Sequence, residues 1–82
     1  MILLRMAEQR TYLIAVIRNG VECLEGQMVR AATAAEVRVG DRIDWPDSSF
    51  EGESQRVSHE VVEVRDATEH FEPVVVLRRS DV

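Results

Sequence analysis

The sequence contains no lysine, and all ten of its basic residues are arginine. Without lysine, the chain has neither a Schiff-base lysine nor the lysine of a phosphate-binding P-loop. Its one cysteine, Cys23, excludes an internal disulfide and makes a reducing cytoplasm the expected compartment. The four glycines are scattered, so no glycine-rich phosphate loop is present. These absences remove several common enzyme classes.

Long apolar runs are also absent. The longest run, Leu13 to Ile17, falls far short of the roughly 20 residues that a membrane helix needs. The N-terminus lacks the basic region, apolar core and cleavage site of a secretory signal. We therefore expect one domain over residues 1–82, without a membrane segment and located in the cytoplasm.

Acidic residues outnumber basic ones, but unevenly. Residues 1–40 carry a net charge of +1 and residues 41–82 carry −6, which gives the total of −5. An acidic chain has no broad attraction for a phosphate backbone, so nucleic acid is an unlikely partner on this ground.

The clearest local pattern is a β-hairpin. Residues 12–17 are rich in β-branched and aromatic side chains, which favour a strand. Asn19-Gly20 then fits a two-residue type I′ turn, because both residues tolerate positive φ. Val21 to Leu24 is the expected partner strand. Glu25-Gly26 is a second expected turn, and residues 27–30 are a third short strand.

Residues 31–36 change character. Thr33 and Glu36 have the spacing of a capping box, which with the surrounding alanines predicts one helical turn near 33–36. The alternative is an α+β domain with a helix within residues 21–36, since Ala, Leu, Met and Glu favour helix.

The second half of the chain reads as further strands. Gly40-Asp41 predicts a turn between two alternating runs, 36–39 and 42–45, and residues 46–56 are expected to form a polar loop. Residues 57–64 form a strand whose alternation slips at Val61-Val62, as a β-bulge would produce. Residues 74–79 are the last strand. Five or six short strands predict a small all-β barrel or sandwich.

Few residue patterns suggest chemistry. His59 and Glu63 occupy the positions of a zinc-protease motif but lack its second histidine, so a solvated strand face is expected there. His59 and His70 flank a predicted hairpin and, with the acidic Glu60, Glu69 and Glu72, could form a metal or pH-sensitive cluster. Cys23 lacks a neighbouring base and is expected to be inert. We expect no enzyme, no metal and no cofactor.

Two features favour binding instead. The aromatic residues Trp45, Phe50 and Phe71 flank loops, where they either close the core or contact a partner. Arg78 and Arg79 end the last strand, where arginines grip carboxylates or phosphates, or protect a sheet edge.

Three segments together resemble known small barrels. Val37-Arg38-Val39-Gly40-Asp41-Arg42-Ile43, then residues 57–64, then residues 74–79 resemble bacteriophage head–tail joining (connector) proteins and also the PUA/ASCH-like group. The first resemblance implies an adaptor or structural protein that contacts other proteins or its own copies and that is located in the virion if a phage encodes it. The two ends, residues 1–9 (an edge strand or a helical turn) and 80–82, are expected to be able to pair with a neighbour. The second implies an RNA- or nucleotide-binding domain using Arg42, Trp45 and Arg78. The sequence favours the first.

Overall fold

The described part of the chain is a single curled β-sheet. The computed structural model describes residues 8–50 and 53–80, with only the backbone described in 47–50 and 53–54. Its strands are β1 (Gln9–Arg18), β2 (Val21–Ala31), β3 (Arg42–Phe50), β4 (Glu53–Arg65) and β5 (Val74–Arg79). The expected all-β class is confirmed, in the form of a half-barrel. The expectation for most of residues 1–9, and for residues 81–82, lies outside the described residues.

Strand order places the last strand at the centre. The order is β2-β1-β5-β4-β3, in which β1 and β5 run parallel and the other neighbouring pairs run antiparallel. β2 and β3 are therefore the two edges of the sheet. Because the sheet curls, these edges approach each other, and the indole of Trp45 in β3 lies over Gly26 in β2.

The core fills the concave side of the sheet. Alternate residues of the strands point inward, and the buried cluster comprises Tyr12, Ile14, Val16, Val37, Val61, Val75 and Leu77. Met28, Ile43, Trp45 and Val64 pack against it and are partly exposed. Burial of branched side chains on one face of each strand is the main force that holds the curl.

The convex side is covered partly by an ion pair. Arg65 of β4 donates to Glu22 of β2 at 2.6 Å and to Glu63 at 2.7 Å. The Arg65 side chain thereby crosses β5 and β1, where Val76 and Ala15 are buried.

The hairpin and bulge predictions are confirmed. Asn19 and Gly20 have φ of 52° and 78°, as a type I′ turn between β1 and β2 requires. In β4, Val61 is opposite Leu77 and Glu63 is opposite Val76, so Val62 is the extra residue of a bulge. The last strand has the predicted bounds.

The predicted turn at Glu25-Gly26 is wrong. β2 continues through it from Val21 to Ala31. Ile14 is opposite Gly26 and Ala15 is opposite Leu24, so Glu25 is the extra residue of a second bulge. A bulge beside a glycine is a common way to bend a strand. Here the glycine also leaves room for Trp45.

The predicted helical turn near 33–36 and the alternative helix within 21–36 are also wrong. Residues 32–34 form a turn, closed by the amide of Ala34 on the carbonyl of Ala31 at 2.9 Å, and residues 35–38 are irregular. Glu36 accepts a hydrogen bond from Arg10 at 3.1 Å instead of capping a helix. The contact with the distant Arg10 replaces the local contact with Thr33. The expected strand at 36–39 is also absent.

The expected loop over residues 46–56 is mostly strand. β3 continues through Pro46 to Phe50, and β4 begins at Glu53. Proline lacks an amide donor, but β3 is an edge strand whose outer side needs none. The prediction that this strand ends at Trp45 is wrong, because an edge strand such as β3 can contain a proline.

Candidate functional site

The candidate site is the gap between the two sheet edges, which we call the seam. One part is a groove of about 440 Å³ lined by Met28, Arg30, Asp41, Arg42 and Ile43. Trp45 of β3 lies opposite Gly26 of β2. The residues that precede Trp45, Asp41 to Ile43, line the groove together with Met28 and Arg30, which follow Gly26. β2 and β3 therefore run in opposite directions across the seam. They are the two ends of the strand order, so no strand ladder joins them in the described chain.

The Gly40-Asp41 turn builds one wall of the groove. Gly40 has φ of 96°, a conformation that favours glycine. The Asp41 carboxylate accepts the Arg38 amide at 2.9 Å, which stabilises the predicted turn. Two backbone hydrogen bonds anchor the turn to β4. The Gly40 amide donates to the Val61 carbonyl at 2.9 Å, and the Val61 amide donates to the backbone carbonyl of Asp41 at 2.8 Å.

The floor of the groove is apolar and its rim is charged. Met28 and Ile43 pack against the buried core and remain partly exposed. Arg30 and Arg42 lie on opposite walls. Neither arginine forms an ion pair with a described residue, whereas Arg10, Arg18, Arg65 and Arg78 each do. The groove thus combines an apolar surface with charged residues of both signs, Arg30, Arg42 and Asp41.

One end of the seam is closed by a polar contact. The Trp45 Nε1 donates to Glu25 at 3.3 Å, and Arg18 donates to both oxygens of that carboxylate at 2.5 and 2.9 Å. The hydrogen bonds from Arg18, and to a lesser degree that from Trp45, hold the pKa of Glu25 below its ordinary value against the opposing effect of burial. The bulge in β2 positions Glu25 for this contact.

His59 is buried, which contradicts the expected solvated strand face. It is opposite Ile43 and Arg79 in the two ladders of β4, and its side chain points into the half-barrel. Its Nδ1 donates to the Val57 carbonyl at 2.7 Å, and its buried Nε2 has no hydrogen-bond partner among the described residues. An unmet buried acceptor costs roughly 1–3 kcal/mol.

The histidine cluster that the sequence left open as an alternative does not form among the described residues. His59 lies beside Arg79 at one end of β5, and His70 lies in the loop that precedes Val74 at the other end. The two ends of β5 are roughly 17 Å apart at 3.3 Å per residue. The described residues contain no group of histidine, cysteine and acidic side chains that could hold a metal. Cys23 is exposed, and its thiol lies 3.9 Å from the carbonyl of Val21.

The structure separates the five residues predicted from sequence for binding. Trp45 lies on the seam, and Arg79 is on the inward face beside His59. Arg78 is on the convex face, paired with Glu60 at 3.4 Å. Phe71 is 68% exposed in the 66–73 loop and is not among the residues that line the groove. The side chain of Phe50 lies outside the described residues.

The groove residues Met28 and Arg30 were missed by the sequence analysis. Both lie in a short strand that carries no motif, and they become part of a site only when β2 faces β3 across the seam. A second cleft of about 420 Å³ is lined partly by core residues, among them Tyr12, the ladder partner of Met28, and Arg10 is paired to Glu36 at its rim.

Comparison with known protein families, curated proteins and solved structures gives no match for this chain. No helix in the described residues is long and apolar enough to cross a membrane. The function is therefore argued from the geometry of the seam.

Proposed function

We propose that this protein is a non-enzymatic adaptor or structural protein, of the kind that connects bacteriophage heads and tails, and that the seam is its contact surface for another protein. The observation that carries the proposal is the open side of the half-barrel. Two strand edges face each other there across a groove with an apolar floor. Unpaired strand edges offer rows of backbone donors and acceptors, and proteins use them to bind extended segments.

The composition of the neighbouring surface supports the same role. Leu24 and Val29 of β2 are exposed on the convex face beside the open edge. Exposed apolar side chains next to an unpaired edge gain free energy when a partner covers them. The 66–73 loop with Phe71 is the rival contact surface, because that aromatic residue is also largely exposed.

A site-specific crosslinking experiment tests the proposal. A photo-reactive phenylalanine analogue at Gln27, an exposed residue of the open edge, is expected to crosslink to another polypeptide in cells that express the protein. The same analogue at Phe71 is the matched control, since that site is exposed and lies outside the seam. Mass spectrometry then identifies the crosslinked chain and the residue contacted.

Light scattering over a concentration series accompanies this experiment. A defined oligomer that crosslinks through Gln27 would make the partner a second copy and still support protein contact at the seam. A concentration-independent monomer that yields no crosslink at either position would contradict the proposal. A crosslink at Phe71 alone would move the contact to the 66–73 loop and remove the role of the seam.

A further inference from the structure

The second cleft runs along one edge of β1, inside the sheet. Four consecutive residues of this strand, 9–12, line the cleft, although alternate side chains of a strand point to opposite faces. The cleft therefore follows the edge of the strand itself. Because β2 pairs with β1 over this whole length, the edge concerned is the one that faces β5. β5 pairs with β1 only from Leu13 onwards, so residues 9–12 have no neighbouring strand on that side among the described residues.

Two local features leave the backbone of Thr11 without a ladder partner among the described residues. The Leu13 amide donates to the Pro73 carbonyl at 2.8 Å, which begins the parallel ladder. Continued two residues further, this ladder would join the Thr11 amide to the Phe71 carbonyl, but that carbonyl accepts the Thr68 amide at 2.9 Å. The donor to the Thr11 carbonyl would be the amide of residue 73, which a proline lacks. Thr11 thus offers a donor and an acceptor to a bound chain.

The base of the cleft is apolar. Tyr12 and Val37 are buried core residues, and Val64 packs against the same core while partly exposed. The volume of about 420 Å³ lies within the range of about 300–1,000 Å³ that is usual for ligand pockets. An aliphatic chain in the cleft would therefore bury its surface against these side chains.

The rim of the cleft is acidic. Asp66 and Glu72 both line it, and neither carboxylate forms an ion pair with a described residue. They lie at the two ends of the 66–73 loop, which the pairing of β4 with β5 brings together. Arg10, the one basic residue of the described lining, is paired to Glu36 at 3.1 Å. The lining residues therefore carry a net charge of −2, which favours a cation.

We propose that this cleft binds a short extended segment of another protein that carries a basic residue. The backbone of the segment pairs with Thr11, as in other cases of strand addition. A lysine or arginine side chain of the segment lies along the apolar base, with its charge beside Asp66 and Glu72. Such a side chain has an apolar stem and a charged end, which match the base and the rim of the cleft.

This inference goes beyond the proposed function and does not depend on it, because no described residue lines both the cleft and the groove of the seam. Other ligands match fewer features of the cleft. The carboxylates of the rim repel a phosphate backbone. The described residues contain no group that could hold a metal ion. A small organic cation would use the rim but leave the Thr11 backbone unpaired.

Peptide binding to the full chain tests the inference. Three probes are the capped tripeptides Thr-Arg-Thr, Thr-Gln-Thr and Thr-Glu-Thr, which differ only in the central side chain. The fourth is propylguanidine, which has the arginine side chain without a peptide backbone. NMR titration at low salt is expected to show the arginine peptide binding most tightly, with shifts in the amides of residues 9–12. Its affinity is expected to fall as salt is raised.

Variants of the acidic rim locate the contact. Asp66→Asn and Glu72→Gln are each expected to weaken the arginine peptide by about twofold to fivefold, the usual effect of losing an exposed ion pair. Glu69→Gln is the matched control, because Glu69 lies in the same loop, is 92% exposed and does not line the cleft. It is expected to leave the affinity unchanged.

Four other results would each overturn the inference. Equal binding of the arginine and glutamine peptides, or an affinity unchanged in both Asp66→Asn and Glu72→Gln, would show that the acidic rim does not select the ligand. Propylguanidine that binds as tightly as the arginine peptide would assign the cleft to a small cation. Shifts confined to residues 27–31 would move peptide binding to the seam. Self-association that is lost in Glu72→Gln would assign the cleft to a second copy. In each case a crosslink from Gln27 would still support the proposed function.

Discussion

At the scale of single residues, Gly26 and Trp45 determine how the half-barrel closes. A Cβ built on Gly26 would lie 3.5 Å from the Trp45 indole, an ordinary van der Waals distance. Any atom beyond that Cβ would enter the space of the ring. The strand therefore has room for one methyl group at this position, and the indole occupies the space above it.

We predict that Gly26→Leu displaces Trp45 and lowers the free energy of unfolding by about 1–3 kcal/mol, the usual cost of overpacking. Gly26→Ala is the matched control and is expected to stay within about 0.5 kcal/mol of wild type. Urea unfolding measures both changes. Trp45 is the only tryptophan, so its fluorescence reports the displacement directly. An unshifted emission maximum in Gly26→Leu would contradict the proposed packing.

At the scale of elements, the Glu25 carboxylate joins three strands at one end of the seam. Arg18 of β1 and Trp45 of β3 both donate to this group in the β2 bulge. The Glu25 side chain is 23% exposed, so water screens the ion pair only in part. The contact links the two edges of the sheet where no backbone ladder does.

This contact predicts a pH dependence of stability. The pKa of Glu25 is lower in the folded chain than its ordinary value, chiefly because of Arg18. Its contribution is therefore complete above about pH 4.5 and is lost as the pH falls through the folded pKa. Glu25→Gln is expected to lower the unfolding free energy by about 1 kcal/mol at pH 7, with the difference from wild type shrinking below about pH 4.5.

Chemical denaturation at a series of pH values measures this difference. Glu69→Gln is the matched control, because that side chain is 92% exposed and lies in the 66–73 loop. Its stability is expected to match wild type at pH 7. A Glu25→Gln deficit of the same size at pH 7 and at pH 3 would show that lost packing, and not the charge, causes it.

At the scale of the whole molecule, β5 holds the two halves of the sheet together. Its residues pair with β1, about 60 positions earlier in the chain, and with β4 on the other side. Val75, Val76 and Leu77 are all fully buried. The sheet forms only when the end of the described chain returns to its beginning.

Amide hydrogen exchange is expected to follow this arrangement. The slowest amides should lie in β1, β5 and β4, which have neighbouring strands on both sides, and faster ones in β2 and β3, whose outer edges are open. The 66–73 loop should exchange fastest among these regions. Protection in Gln27 to Ala31 equal to that in β5 would indicate that the edge of β2 is already covered, and the seam would not be open in solution.

The sequence by itself determined the features that depend on neighbouring residues. Asn19-Gly20 fixes a hairpin because both residues accept positive φ, and the doubled valine at 61–62 marks a bulge because the side-chain alternation breaks there. The bounds of β5 follow from four consecutive apolar residues. These signals are local, so they were sufficient for the all-β class.

Only the tertiary structure decided the features that depend on distant partners. The residue types of Glu25-Gly26 favour a turn, but pairing with β1 and the contact with Trp45 keep these residues within a strand. The burial of His59 and the presence of Met28 and Ile43 in one groove follow from strand order, which no local pattern encodes. Of the residues predicted for binding whose side chains the structure describes, Trp45 and Arg42 lie on the seam and the others do not, because the seam is formed by two strands that are neighbours in space and not in the ladder.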